Sequence, residues 1–203
     1  MSGRLQDRKS SSDPEGRILP IVLKTAEEYD KIYHSICGGK SMINVKMREF
    51  IYVAEILNER LQIVPLLFGS LGLEQRLRVN LDADDIDILI PEVFLDERWS
   101  SIAAVMEENG YILYDLHEHA FKKSETSVAF ASVESLTPFA GVDIAQIPVV
   151  EESGVRYYLL SSEDYLKVYT ASSKDGYRKN VKNKKDEEKI ELITKALGRN
   201  CPN

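Results

Sequence analysis

Leu66-Leu67-Phe68-Gly69-Ser70, followed after a connection by Asp85-Ile86-Asp87-Ile88-Leu89-Ile90, is the stretch from which the rest of this chain can be read. An apolar run ends in Gly-Ser. A second apolar run carries carboxylates two residues apart. In a strand such residues share a face, so Asp85 and Asp87 sit side by side while Ile86, Ile88 and Ile90 turn to the other side. Adjacent carboxylates repel one another unless a cation lies between them. A hard divalent cation with oxygen ligands removes that repulsion, and Mg²⁺ is commonly held by one or two carboxylates together with substrate phosphates. Gly69 permits close backbone approach, and N–H groups at a Gly-Ser turn can meet phosphate oxygens.

The order hydrophobic-Gly-Ser, spacer, Asp-hydrophobic-Asp-hydrophobic resembles the signature of the DNA polymerase β-like nucleotidyltransferase superfamily, with a slightly longer spacer. The similarity is best over roughly residues 44–147 and looser beyond. It implies an α/β (α+β) fold: a mixed, twisted sheet with flanking helices and a C-terminal helical part. It also implies transfer of a nucleoside monophosphate from an NTP, ATP first among them, to a small-molecule or protein hydroxyl, with Mg²⁺ or Mn²⁺ as cofactor. Asp85 and Asp87 would hold the metal, and Gly69 and Ser70 the phosphates. Family members generally add a third carboxylate on a neighbouring strand. Asp143, between Val142 and Ile144, is the candidate for that catalytic and metal-binding role, with Asp115 as the fallback. The aminoglycoside-, lincosamide- and toxin-associated relatives often carry a Lys/Arg-Lys-Asp element near the C-terminus. Lys185-Asp186 looks like it, with Arg178 and Lys179 as further triphosphate ligands. The alternative is a non-catalytic nucleotide- or protein-binding member of the same fold.

Composition narrows the field. The chain has 203 residues, 43% hydrophobic and 29% charged, as expected of a globular protein. No apolar run approaches the ~20 residues that span a bilayer. Basic residues at the N-terminus lack a following apolar stretch, and two cysteines, Cys37 and Cys201, make no disulfide framework. A cytoplasmic location is the default expectation, with no membrane partner. A net charge of −7 disfavours broad adhesion to nucleic acid, although residues 174–186 form a local basic patch.

Four segments are expected: a flexible arm over 1–17, an accessory strand-helix unit over 18–41, a nucleotidyltransferase core over 42–160, and a helical segment over 161–203. Met47, Phe50, Ile51, Ala54 and Leu57 predict a helix from Asn44. Strands are predicted over 63–68, 85–90, 111–116, 127–133 and 142–147, with a short one near 157–160. Asp96 is a candidate cap for a helix ending at Asn109-Gly110. Ser161-Ser162-Glu163-Asp164 opens another, and Asn183 a last one with Ile190, Ile193 and Leu197 on one face.

Other chemistry-bearing residues have plainer readings. Asp82 and Asp84 suit a solvated loop. Arg76 and Arg78 can reach phosphates, but loop arginines are common. His117-Glu118-His119 would place two histidines on one strand face, which lacks the three or four ligands of a metal site.

Overall fold

A computed structural model of the chain describes residues 45–174 and 183–199. All belong to one compact unit, Met42–Asn203. Seven strands form a single mixed sheet: β1 (Leu66–Leu67), β2 (Ile86–Ile90), β3 (Ile112–Asp115), β4 (Ala120–Lys123), β5 (Thr126–Ser132), β6 (Val149–Glu152) and β7 (Val155–Leu159). Their order is β3-β4-β5-β2-β1-β7-β6. β2 is parallel to β5 and antiparallel to β1, while β1 is parallel to β7. The helices are α1 (Val45–Ile56), α2 (Gly69–Leu77), α3 (Trp99–Glu108), α4 (Leu136–Ala140), α5 (Ser162–Lys174) and α6 (Asn183–Arg199). The architecture is α/β, and among the described residues no helix is long and apolar enough to cross a membrane.

The register of β2 follows from its side chains. Ile86, Ile88 and Ile90 are fully buried. A one-residue slip would move all three off this core face and turn the acids into it, and each isoleucine contributes about 1.5–3 kcal/mol on burial. On the isoleucine side lie Val128, Phe130 and Phe121, with Phe121 tilted against Trp99 of α3 at 5.6 Å between centroids. Phe50 of α1 meets Tyr157 of β7 edge-on at 5.1 Å. α2 packs against β2 and α5, and α5 packs against α6.

Several elements depart from the sequence expectation. The first core strand is only Leu66–Leu67, because Ile63 bonds back to Leu57 and Pro65 offers no N–H. Gly69-Ser70 opens a helix rather than a simple turn. Asp96 lies in the turn before α3 and makes no side-chain cap. The segment 117–126 contains β4 and two turns, so the histidines sit in the β3–β4 turn and not on a strand. Thr137-Pro138 falls inside α4. The segment 142–147 is a loop with a 3-10 turn, Ile144–Gln146, and the strand comes later as β6. The expected N-terminal arm and accessory unit lie outside the described residues.

Candidate active site

The site starts where β1 runs into α2. Phe68 donates its N–H to the Asp87 carbonyl at 2.9 Å, which binds the end of β1 to the carboxylate strand. Gly69 follows with φ +61, a left-handed conformation that side chains rarely adopt. A Cβ at residue 69 would lie 1.9 Å from Asp87 Oδ2 and 3.1 Å from Asp87 Cβ. The Asp87 side chain therefore occupies the ground that only glycine leaves open. Helical bonding in α2 begins with Gly72 N–H to Phe68 O at 3.0 Å, so the earlier N–H groups lie at the positive end of the helix. Asp85 precedes β2 by one residue and is exposed; Asp87 lies within β2 and is half-buried. Alternation gives them one face.

Gly72 shows the same kind of fit one turn on. A Cβ there would meet Tyr165 Oη at 2.1 Å and Leu67 O at 2.7 Å. Tyr165 of α5 is buried and donates to Leu67 O at 3.2 Å. Burial pushes its hydroxyl pKa well above the ordinary value, and the Tyr169 and Asp87 charges push the same way. Arg76 donates to the carbonyls of Leu160 and Leu159 at 2.6 and 2.9 Å. It ties α2 to the end of β7, so it is a helix residue with a structural bond and not the loop arginine expected from the sequence. Arg78 caps α2 in a left-handed conformation.

α6 supplies the cations. Asp186 is buried, and the Ser172 hydroxyl of α5 donates to its Oδ2 at 2.7 Å. That bond pins α6 to α5. Lys185 projects outward, 3.7 Å from Asp84, in a pair whose members are 72% and 84% exposed and which is worth little. Lys189, one turn along, donates to Ser70 Oγ at 2.8 Å and lies 4.8 Å from the Tyr169 ring. The sequence reading missed Lys189. Its spacing of four from Lys185 puts both on one helix face and was the available signal. Arg178 and Lys179 lie outside the described residues.

Asp143 is not on a strand beside β2, and this corrects the sequence expectation. It caps the 3-10 turn, its Oδ1 accepting from Ala145 N–H at 3.1 Å. Gly141, at φ +65, ends α4. Ile144 then lines a cavity of about 300 Å³ with Leu66, Leu89, Pro91 and Val133, near the C-terminal end of β2. Asp85 and Asp87 lie at the opposite end of that strand. The strand beside the pair is β5, with Asp87 registered on Ala129. Ser127, Ala129 and Ala131 therefore share the carboxylate face, and none is acidic. Asp115 lies in the same transverse row through Ala120 and Ala129, three strands from Asp87 or about 14 Å. It accepts N–H groups of its own turn from His117 and Glu118. His117 pairs weakly with Glu118, and His119 packs on Trp99.

Among the described residues, no three of Asp, Glu, His or Cys gather into a metal-binding group. Asp85 and Asp87 nevertheless form an oxygen donor set of the type a hard cation takes when a substrate phosphate completes its shell. The absence of a side chain at Gly69 lets the Asp87 carboxylate lie against the start of α2, which fits that use.

No protein-family model matches the chain. The uncharacterized protein YnaI of Bacillus subtilis (strain 168) is 46% identical over 149 residues, covering 73% of this chain and 96% of that protein. Two solved structures are similar in architecture. ANT(2'')-Ia in complex with adenylyl-2''-tobramycin is 18% identical, with a TM-score of 0.47, over 74% of this chain and 89% of its own. A nucleotidyltransferase-like protein from Paracoccidioides brasiliensis is 15% identical, with a TM-score of 0.48, over 70% and 72%. Likeness at these scores carries no weight for activity or substrate.

Proposed function

The chain belongs to the family of the Bacillus subtilis protein YnaI, whose name states no activity, and from the site itself we propose that it transfers a nucleoside monophosphate from an NTP to a hydroxyl acceptor. One observation carries this reading: the phosphate-type helix start and the carboxylate pair are built against each other, with Asp87 Oδ2 in the space a residue-69 side chain would need. Asp85 and Asp87 would hold Mg²⁺ or Mn²⁺. When bound, that cation would neutralise phosphate charge and polarise the phosphorus under attack.

The chain's own groups do the rest. The N–H groups opening α2 bind phosphate oxygens, helped by the positive end of the helix. The Ser70 hydroxyl and the Lys189 ammonium orient the β- and γ-phosphates, and Lys185 adds charge at the acid end of the cleft. The acceptor hydroxyl oxygen attacks the α-phosphorus and releases its proton to water, the bond from that phosphorus to the α–β bridging oxygen breaks, and pyrophosphate leaves. Positioning and charge neutralisation supply most of the acceleration. The test is pyrophosphate release with labelled NTPs and an acceptor panel, run beside titration calorimetry of Mn²⁺–nucleotide. Asp87→Asn should abolish both. Equal binding by wild type and Asp87→Asn would remove the site assignment.

A second reading, nucleotide binding without turnover, has one specific observation in its favour. β5 presents Ala129 beside Asp87, where a carboxylate would otherwise be available to deprotonate the acceptor. Nucleotide binding with no pyrophosphate release across the acceptor panel would select it.

A further inference from the structure

The sequence spacing between Ser70 and Asp85 is filled by α2 and then by a loop, 78–84, that leads into the carboxylate pair. One buried acid, Glu74, is not used by the chemistry described above. It is 6% exposed and sits mid-helix in α2. Its Oε1 accepts the N–H groups of Leu81 at 3.0 Å and Ala83 at 2.9 Å. The loop is otherwise irregular: Asp82 has φ +50, and Asn80 and Asp82 bond to each other. A buried carboxylate taken from water costs several kcal/mol unless hydrogen-bonded. Here that stabilisation comes from the backbone immediately before Asp84 and Asp85.

We propose that Glu74 is a positioning residue that ties the phosphate-binding helix to the acid loop, holding Asp85 in register with Asp87 for a divalent cation. The inference rests on the nucleotide reading of the site. α2 carries Gly69 and Ser70 at its start and Glu74 one turn later, so one rigid element sets both the phosphate turn and the acid loop. Glu74 touches neither substrate nor metal; it acts through the backbone of residues 81–83.

Two variants separate positioning from bulk stability. Glu74→Gln keeps the reach and a carbonyl acceptor for both N–H groups. Glu74→Asp keeps the charge and withdraws the oxygen by one methylene. Thermal unfolding, Mn²⁺ titration with ATP present, and amide exchange at Leu81 and Ala83 are measured on the full chain. The expected result is near wild-type Mn²⁺ affinity for Glu74→Gln. Glu74→Asp should lose about tenfold or more, as metal sites do when a supporting partner is removed. Amide exchange at 81 and 83 should rise in Glu74→Asp only. The proposal is overturned if Glu74→Asp binds Mn²⁺ as wild type does, or if both variants weaken binding only in proportion to lost stability. If wild type itself binds no Mn²⁺ with ATP, the nucleotide reading falls first and this inference with it.

Discussion

Gly69 is the most exacting glycine among the described residues, because two independent demands meet there. Its φ of +61 costs a non-glycine residue about 1–2 kcal/mol, and a Cβ would lie 1.9 Å from Asp87 Oδ2. Gly69→Ala should therefore leave the protein folded with a lowered Tm and displace the Asp87 carboxylate. Mn²⁺–nucleotide affinity should fall by more than the stability loss accounts for. Calorimetry giving an unchanged dissociation constant in folded Gly69→Ala would refute the assignment of Asp87 to the metal. Gly72 makes a contrasting demand, on packing alone. Its Cβ would strike Leu67 O, a backbone atom, as well as Tyr165 Oη. Gly72→Ala should thus destabilise by about 1–3 kcal/mol, the usual range for overpacking, read by denaturant titration. Adding Tyr165→Phe should not restore it, since the backbone contact remains. Full recovery in the double variant would show that the tyrosine hydroxyl alone sets the constraint.

At the scale of elements, the sequence was legible where one segment carries its own signals. Met47, Phe50, Ile51 and Ala54 marked α1, and all are buried. Ser161 and Asp164 cap α5 reciprocally, the Ser161 hydroxyl accepting Asp164 N–H at 3.0 Å and donating to its carboxylate at 2.8 Å. β4 was hidden because its core residues, Ala120 and Phe121, sit between a histidine-rich turn and two lysines. α4 was hidden by Pro138, which falls within the first turn, where a missing N–H costs little. Buried Val142 and Ile147 imitate a strand in sequence, yet the 3-10 turn Ile144–Gln146 interrupts the extended run between them. The Asp85–Asp87 and Gly69–Ser70 elements were readable because each is short and local. The Lys189–Ser70 bond joins residues 119 positions apart and depends on the Asp186–Ser172 pin, which no local pattern reveals. Lys189→Ala should weaken nucleotide binding with little change in Tm, whereas Asp186→Ala should lower both. Equal Tm losses in the two would make Lys189 a packing residue. The α5 cap also sets an acid limit. Burial alone would raise the Asp164 pKa, but hydrogen bonds from Lys167 and Ser161 hold it below its ordinary 3.8. A carboxyl with a lower pKa folded than unfolded stabilises above the unfolded value and loses that contribution as pH falls through the folded one. The Tm gap between wild type and Asp164→Asn should therefore be full near neutrality and close below about pH 4. A gap that stays constant in acid would mean that the cap does not depend on ionisation.

The whole sheet decides what the site can do beyond binding. β2 lies between β1 and β5, and β1 is two residues long, so β5 is the strand that can extend the carboxylate face. Its register places Ala129 beside Asp87, about 4.8 Å away across the ladder. Water attacking a bound nucleotide would need a base on that side, and β5 offers Ser127, Ala129 and Ala131. Release of pyrophosphate to water alone by the wild-type chain should therefore be slow. Ala129→Asp adds a carboxylate to the same face without changing any buried isoleucine contact on the other. It should lower Tm modestly without metal, where the added charge repels Asp87, and tighten Mn²⁺ binding in the presence of nucleotide. It should also raise acceptor-free pyrophosphate release, because general base catalysis typically contributes about 10²–10⁴-fold when the group is well placed. Fast wild-type release to water would show that a base is supplied from elsewhere in the chain. A folded Ala129→Asp protein with neither tighter Mn²⁺ binding nor faster release would show that β5 does not border the reacting atoms, and the acceptor would then have to approach from the α6 side.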